Sequence, residues 1–483
     1  MSQSILWQLQ YEYYQAQGIN AWGQGQTPSY ITSNSFIARQ YAEVVFGFFR
    51  DLHRKGIAQA RVYLFEPGAG SGQFAFLFLK ALAKACEVAA FPVPEFCYII
   101  SDFAERNVQF WESHPQLQPF LDRGQIDFAV FDAGKDTTIK LRHTGKEIKA
   151  GSLQTPLIVL ANYFFDSIPQ DLFYISQGKI EEALPSLTVE GAARHPNPVK
   201  LLKSIQMEFE FRETASKYYP ESAYNDILRY YQEILEEGWL LFPAPAFRML
   251  DRLQSWTNSG LLLLTGDKGV QTLAELKGME MPEIILHGGF SLTVNYHAFH
   301  QYVSANQGLG MMPAHLNPYL NVHCFLFQED AETFQELRNA FASTIGEFGP
   351  DDFFILKKVI QSRIPKMKWK QIMATIRQSH YDTRVFQKLL PRMRKLVIGL
   401  QAWERESMLA TAAKVWEQYY PISSGDSLAI DLGQLSFVLD DFASAKTYLQ
   451  HALKTVAGSV EIFFTLALCF DQLEDYVAAE KYL

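Results

Sequence analysis

RVYLFEPGAGSGQFAFLFLKAL (61–82) decides the fold. Its first residues, RVYLF (61–65), form a short apolar run of good strand formers, and a helical pattern opens at Gln73. EPGAGSG (66–72) lies between them, so the spacing predicts a strand over 61–65, a turn, and a helix over 73–90. Gly68, Gly70 and Gly72 allow a tight turn and close approach of backbone to ligand, and the helix start offers unsatisfied amide hydrogens to an anionic group. A dinucleotide fingerprint would place its third glycine at position 73, where this chain has Gln73. The acid-x-Gly-x-Gly-x-Gly form, Glu66 to Gly72 with Ala69 at its centre, instead suits S-adenosylmethionine, which carries a carboxylate and a sulfonium but no pyrophosphate. Glu66 then attracts the cationic end of the methionine moiety.

Outward from this turn, strands and helices alternate. FCYIIS (96–101) is followed by a predicted helix over 104–122, then by IDFAVF (126–131) and PLIVLANYFF (156–165). That rhythm implies parallel pairing with right-handed crossovers, hence an α/β, doubly wound, Rossmann-like sheet; with the cofactor turn above, the expected version of it is the class I methyltransferase sheet. Ahead of it, Ile37, Tyr41, Val44, Val45, Phe48, Phe49 and Leu52 make one apolar stripe on a helix ending near Gly56. Residues from about 176 to 245 interrupt the alternation with a charged, aromatic-rich stretch and a predicted helix over 222–237. Insertions at the carboxyl edge of such sheets shape pockets, so a substrate or lid segment is expected there. LLLLTGDKG (261–269), PEIILHGG (282–289) and HCFLF (323–327) resume as strands, and beyond 331 only helical periodicity remains.

The end of the chain repeats itself. Leu432, Gly433, Leu439, Asp441, Phe442 and Ala445 recur 34 positions on as Leu466, Ala467, Leu473, Asp475, Tyr476 and Ala479, the period and residue classes of tetratricopeptide repeats. The expected organisation is a helical segment over 1–60, the catalytic domain over 61–330, a helical connector over 331–395 and an α-helical repeat domain over 396–483. The last repeat carries no polar cap, which suggests that the chain continues or pairs as a homodimer there.

Further candidate residues sit where strands end. Asp102 closes the second strand, where one carboxylate can accept from both ribose hydroxyls; Asp132 and Ala133 close the third, in reach of the adenine edge. The fourth ends in ANYFFDSIP (161–169), where the transferred methyl group should emerge. Asn162 is assigned to the cofactor and, with Asp166, to orienting the acceptor, and Tyr163 to a hydrogen-bonding or cation-stabilising wall. The plainer reading makes Asp166 a helix cap and Tyr163 core packing.

Composition narrows the classes. The chain has 483 residues, 48% hydrophobic, with a net charge of -9; that is a globular balance, and it argues against a phosphate-neutralising nucleic-acid binder. Four cysteines are scattered without zinc or disulfide spacing, as in a reducing compartment. His297 and His300 lack a convergent third ligand and read as packing residues, so no metal is expected. With neither a leader pattern nor a spanning apolar run, a cytoplasmic protein without membrane contact is expected.

Together these segments resemble the MidA-type methyltransferases, the family that includes the mitochondrial complex I assembly methyltransferase. The similarity runs over about 11–330 and rests on YYQAQGINAWGQGQTPSYITSN (13–34), EPGAGSG, ANYFFDSIP, GDKG (266–269) and FSLTVNYHAFHQYVSANQGLG (290–310). It implies S-adenosyl-L-methionine as cofactor and a protein arginine as acceptor. One position departs: Tyr163 stands where the family has a glutamate, and a phenol does not replace a carboxylate in a bidentate grip on guanidinium. The expectation is therefore a protein methyltransferase whose repeats recruit a partner peptide. The alternatives are a scaffold that keeps the fold without catalysis, and a small-molecule methyltransferase.

Overall fold

In a computed structural model, described for residues 1–23, 27, 29–57, 60–189, 205–215, 217–287, 289–315, 317, 319–423, 427–455 and 459–483, the chain divides into two compact units. One comprises residues 1–33 and 40–351, the other residues 34–39 and 352–483.

The first unit is mixed α/β and is built on a seven-stranded sheet. Its strands are β1 (Val62–Glu66), β2 (Phe96–Asp102), β3 (Ile126–Val130), β4 (Leu157–Asn162), β5 (Leu261–Asp267), β6 (Leu309–Met311) and β7 (Asn321–Phe327). They lie in the order β6-β7-β5-β4-β1-β2-β3. The five strands β3, β2, β1, β4 and β5 are parallel, whereas β7 runs antiparallel to β5 and β6 antiparallel to β7. β1 and β5 are buried along their whole length, which is why these runs are apolar without alternation. The sheet order reverses between β1 and β4, and their carboxyl ends open a crevice of the kind in which α/β sheets bind ligands.

Several expectations need correction. The helix predicted over 104–122 is two helices, Glu105–Glu112 and Gln118–Asp122; Pro115 between them cannot donate to a continuous ladder. PEIILHGG does not join the main sheet. Residues Ile285–His287 pair antiparallel with Gly289–Ser291; two short adjacent strands give the same apolar signal as one longer strand. The interruption after β4 is largely a second sheet. Strands Glu237–Phe242, Asp171–Ser176, Lys179–Val189 and Ile205–Glu213 follow one another antiparallel in that order. Gln177 and Gly178 both have positive φ, 51° and 72°, the backbone of a tight hairpin turn. The helix expected to reach residue 237 ends at Ile234, and the next residues enter the strand Glu237–Phe242. Part of the interruption, 190–204, lies outside the described residues. His297 and His300 face separate partners: His297 Nδ1 meets the Tyr231 hydroxyl at 2.8 Å, and His300 Nε2 meets His323 Nδ1 at 3.1 Å.

The second unit is helical. Leu428–Val438 pairs with Phe442–Thr455, and Val460–Gln472 with Tyr476–Tyr482. The recurring aspartates do the same work in both hairpins: Asp441 Oδ1 accepts from the Ser444 amide and Asp475 Oδ1 from the Ala478 amide, each at 3.1 Å, a helix N-cap. Gly433 sits where helices touch, since a Cβ there would lie 2.6 Å from Leu449 Cγ. Gly433→Ala should therefore overpack this contact and lower stability by about 1–3 kcal/mol. Urea denaturation would show the loss, with partial recovery in the Gly433→Ala, Leu449→Ala double variant; an unchanged midpoint would contradict the close crossing. Among the described residues, no helix is long and apolar enough to cross a membrane.

Candidate functional site

The crevice at the carboxyl ends of β1, β2 and β4 widens into a cavity of about 860 Å³, within the range of small-molecule sites. Glu66, Gly68, Ala69, Gly70 and Asp102 line it, as do Asp132, Ala133, Asn162, Tyr163 and Asp166. Ten of the sequence-derived candidates thus meet at one place. Gly72 does not line it; with φ of 74° it caps the helix Gln73–Glu87, so its role is the turn itself.

The glycine turn is tied to β2. The Ala69 amide donates to the Ser101 carbonyl at 2.8 Å, and the Ser101 hydroxyl to the Glu66 carbonyl at 2.8 Å. The Gly70 amide donates to Asp102 Oδ2 at 3.2 Å, and Ala104's amide to Asp102 Oδ1 at 2.9 Å. Asp102 therefore orders the turn from below while it lines the cavity. Both remaining glycines also admit rings. A Cβ at Gly68 would meet Phe164 Cδ2 at 2.9 Å, and one at Gly70 would meet Trp22 Cζ2 at 2.7 Å.

Glu66, at the end of β1, accepts from the Tyr98 hydroxyl at 2.9 Å. Burial pushes its carboxyl from the ordinary 4.5 up to about 8, the Tyr98 hydrogen bond opposing and the Asp102 charge adding. Burial likewise raises Asp102 to about 6, against the amide donors that favour its charge. Glu66 binds its proton more readily in the folded chain than in the unfolded one. Its stabilising contribution is thus full below 4.5 and lost as pH rises through about 8. Glu66→Gln should gain stability relative to the parent across that window. Thermal midpoints of both proteins, taken from acid to mildly alkaline pH, check this, and a constant difference would contradict a buried acid at this site.

Asp132 turns mostly to its own loop. Its Oδ1 accepts from the Gly134 amide and its Oδ2 from Lys135 Nζ, both at 2.9 Å, while its amide donates to Asp136 Oδ2 at 2.7 Å. The Ala133 carbonyl accepts from the Arg252 guanidinium. This loop makes a wall of the cavity, and Asp132's carboxylate is already engaged there.

At the end of β4, Asn162 Oδ1 accepts from the Tyr41 hydroxyl at 2.8 Å, and its buried Nδ2 has no partner among the described residues. Such an amide is an orphaned buried donor, and buried polar groups ordinarily have partners. Tyr163 takes φ of 50°, a left-handed conformation that tyrosine rarely adopts, and strain of this kind collects at functional sites. Its amide donates to the Gly266 carbonyl at 2.9 Å, which pins the chain to β5. Asp166 is buried and accepts from the Ser167 hydroxyl at 2.7 Å. Burial raises its carboxyl to about 6, and Asp267, at the end of β5, is raised well above the carboxylate range by burial and by the charge of Asp166.

Sequence reading missed the roof. The helix Ile5–Gln17 is stitched across the strand ends: Gln10 Nε2 donates to the Ser167 carbonyl at 2.8 Å, Gln10 Oε1 accepts from the Phe290 amide at 2.7 Å, and Gln15 Nε2 donates to the Phe103 carbonyl at 2.9 Å. Tyr14 stacks on Trp22, ring centroids 5.7 Å apart, and both line the cavity with Trp7 and Gln10. The signal was present as Trp7, Gln10 and Tyr14 at three- and four-residue steps, a helix face mixing aromatic rings with one buried amide.

No protein-family profile matches the chain, and no curated protein does. Among solved structures it is similar to an uncharacterised protein of Burkholderia thailandensis, at 14% identity over 71% of this chain and 83% of the other, with a TM-score of 0.39. It is also similar to a second protein of that organism, a candidate methyl transferase bound to S-adenosyl-homocysteine, at 14% identity over 66% of this chain and 74% of the other, with a TM-score of 0.37.

Proposed function

We propose that this protein is an S-adenosylmethionine-dependent methyltransferase that modifies a protein side chain. The observation that carries the reading is the convergence of the glycine turn, Glu66, Asp102 and Asn162 on one cavity. The lining suits the cofactor: acids for its ammonium and ribose hydroxyls, and an acidic lining that favours a cationic ligand. Glu66 and the turn Gly68–Gly70 would hold the methionine moiety, Asp102 the ribose, and Ala133 with Asp132 the adenine side. The cofactor supplies an activated methyl group on a sulfonium. The chain aligns a nucleophile with that methyl in a water-poor pocket, where alignment alone contributes much of the rate.

Asn162, Tyr163 and Asp166 would orient the acceptor. The family resemblance implies an arginine, and the buried acid Asp166 remains to grip a cation although Tyr163 replaces the family's glutamate. The hairpins of the second unit are proposed as tetratricopeptide-type repeats that hold a partner peptide on a concave face. Tyr163 in that position, together with Trp22 against Gly70, favours one competing reading, a non-catalytic assembly factor. Incubating the protein with methyl-labelled cofactor and a cell extract separates these. Label in a macromolecular fraction supports the proposal, label only in small molecules favours a small-molecule transferase, and no label favours the assembly factor.

A further inference from the structure

Behind the cavity wall lies a second carboxyl that no step above uses. Asp267 at the end of β5 is fully buried and does not line the cavity, while Asp166 is buried and does. β4 and β5 are neighbours, and past their ends one segment holds both turns: the Leu292 amide donates to the Asp166 carbonyl and the Val294 amide to the Lys268 carbonyl, both at 2.9 Å, so the two buried acids lie close enough for each to act on the other. Asp267 Oδ2 already accepts from the Thr265 hydroxyl at 3.2 Å and the Tyr296 hydroxyl at 3.1 Å. Its Oδ1 has no donor among the described residues. Two carboxylates cannot hydrogen-bond each other without a proton, and neighbouring like charges in a buried site do not both ionise.

We infer that Asp267 holds the proton the two carboxyls share, so that Asp166 faces the cavity as a single carboxylate which orients a cationic nitrogen and accepts its proton as that nitrogen is methylated. This rests on the transferase reading above. In the step, the acceptor's N–H bond breaks and its proton passes to Asp166. The electron pair left on nitrogen forms the new N–C bond, while the S–C pair remains on sulfur. Asp267 is a positioning residue: by keeping its proton it spares Asp166 a second buried charge.

The surroundings suit this. The groups facing the pair are Tyr41, from the helix Ser35–Lys55, and Tyr296, from the helix Tyr296–Ala305, with Tyr14 from the roof, Tyr163 and Ser167. Burial raises all four phenols, so none competes as an anion near neutrality. Lys268 follows Asp267 in the chain and lines the cavity.

Carbon-13 NMR of protein labelled at aspartate carboxyls tests the shared proton without any activity, and Glu66 stays silent in it. At about pH 7.5 one protonated aspartate carboxyl is expected in the parent and none in Asp267→Asn, whose amide is a permanent donor of similar shape. A parent with every aspartate ionised, or a protonated signal surviving in Asp267→Asn, would overturn the inference. Methylguanidinium chloride, titrated in the presence of S-adenosylhomocysteine, tests the orienting role. Asp166→Asn should bind it roughly tenfold or more weakly, and binding within about threefold of the parent would overturn that role. If the parent binds no S-adenosylhomocysteine, the transferase reading fails, whereas the NMR result still decides the shared proton.

Discussion

Asp102→Ala is expected to weaken binding of S-adenosylhomocysteine by roughly 10- to 150-fold, the ~1.5–3 kcal/mol of a charged hydrogen-bond partner. Two losses combine. The cavity loses an acid placed for ribose hydroxyls, and the amides of Gly70 and Ala104, which donate to it at 3.2 and 2.9 Å, lose their acceptor. Asp102→Asn separates these losses because it keeps one oxygen acceptor and most of the shape. Its affinity should fall between those of the parent and the alanine variant. Calorimetry or a fluorescence titration gives the three constants, and an unchanged constant for Asp102→Ala would remove the ribose assignment.

The second large effect is expected at Gly70→Ala. The φ of 56° at this residue is unfavourable for alanine by roughly 1–2 kcal/mol. The added Cβ would also lie 2.7 Å from Trp22 Cζ2, an overlap that adds about 1–3 kcal/mol unless the indole moves. Gly124→Ala is the control, since its φ is 64° but a Cβ there meets nothing within 4 Å. Gly70→Ala should therefore lose more stability than Gly124→Ala, and Trp22→Ala in the Gly70→Ala background should recover the excess but not the strain. Thermal or urea denaturation measures this set. Equal losses at the two glycines would show that the indole does not press on the turn.

How much was legible beforehand follows from how local each signal is. EPGAGSG is legible as a turn because strand, glycines and helix are contiguous in sequence, and the ends of β1 and β2 follow from apolar runs stopping at Glu66 and Asp102, whereas β4, expected over 156–165, already ends at Asn162. The reason for the glycines was only half visible. Ligand approach was inferred, but Phe164 and Trp22 come from remote parts of the chain to press on Gly68 and Gly70, and no local pattern reports such a contact. The second sheet was obscured for a similar reason. In Lys179–Val189 and Ile205–Glu213 charged residues intersperse the apolar ones, and strands with mixed faces resemble an irregular insertion. Asp267 was visible as a turn acid, yet its value lies in a partner 101 positions earlier in the chain, Asp166. The 34-residue recurrence was legible because capping is local, and Asp441 and Asp475 each close their own turn.

The central claim is that a sulfonium nucleoside lies across the strand ends with its ammonium near Glu66. Calorimetric titration of the parent protein with S-adenosylhomocysteine near neutral pH, repeated in buffers of different ionisation enthalpy, tests it most directly. The expected result is saturable binding at one site with net release of protons, because Glu66, held up to about 8 in the free protein, ionises beside the bound cation. No heat at ligand concentrations up to about 1 mM, or binding without proton release, would contradict the account.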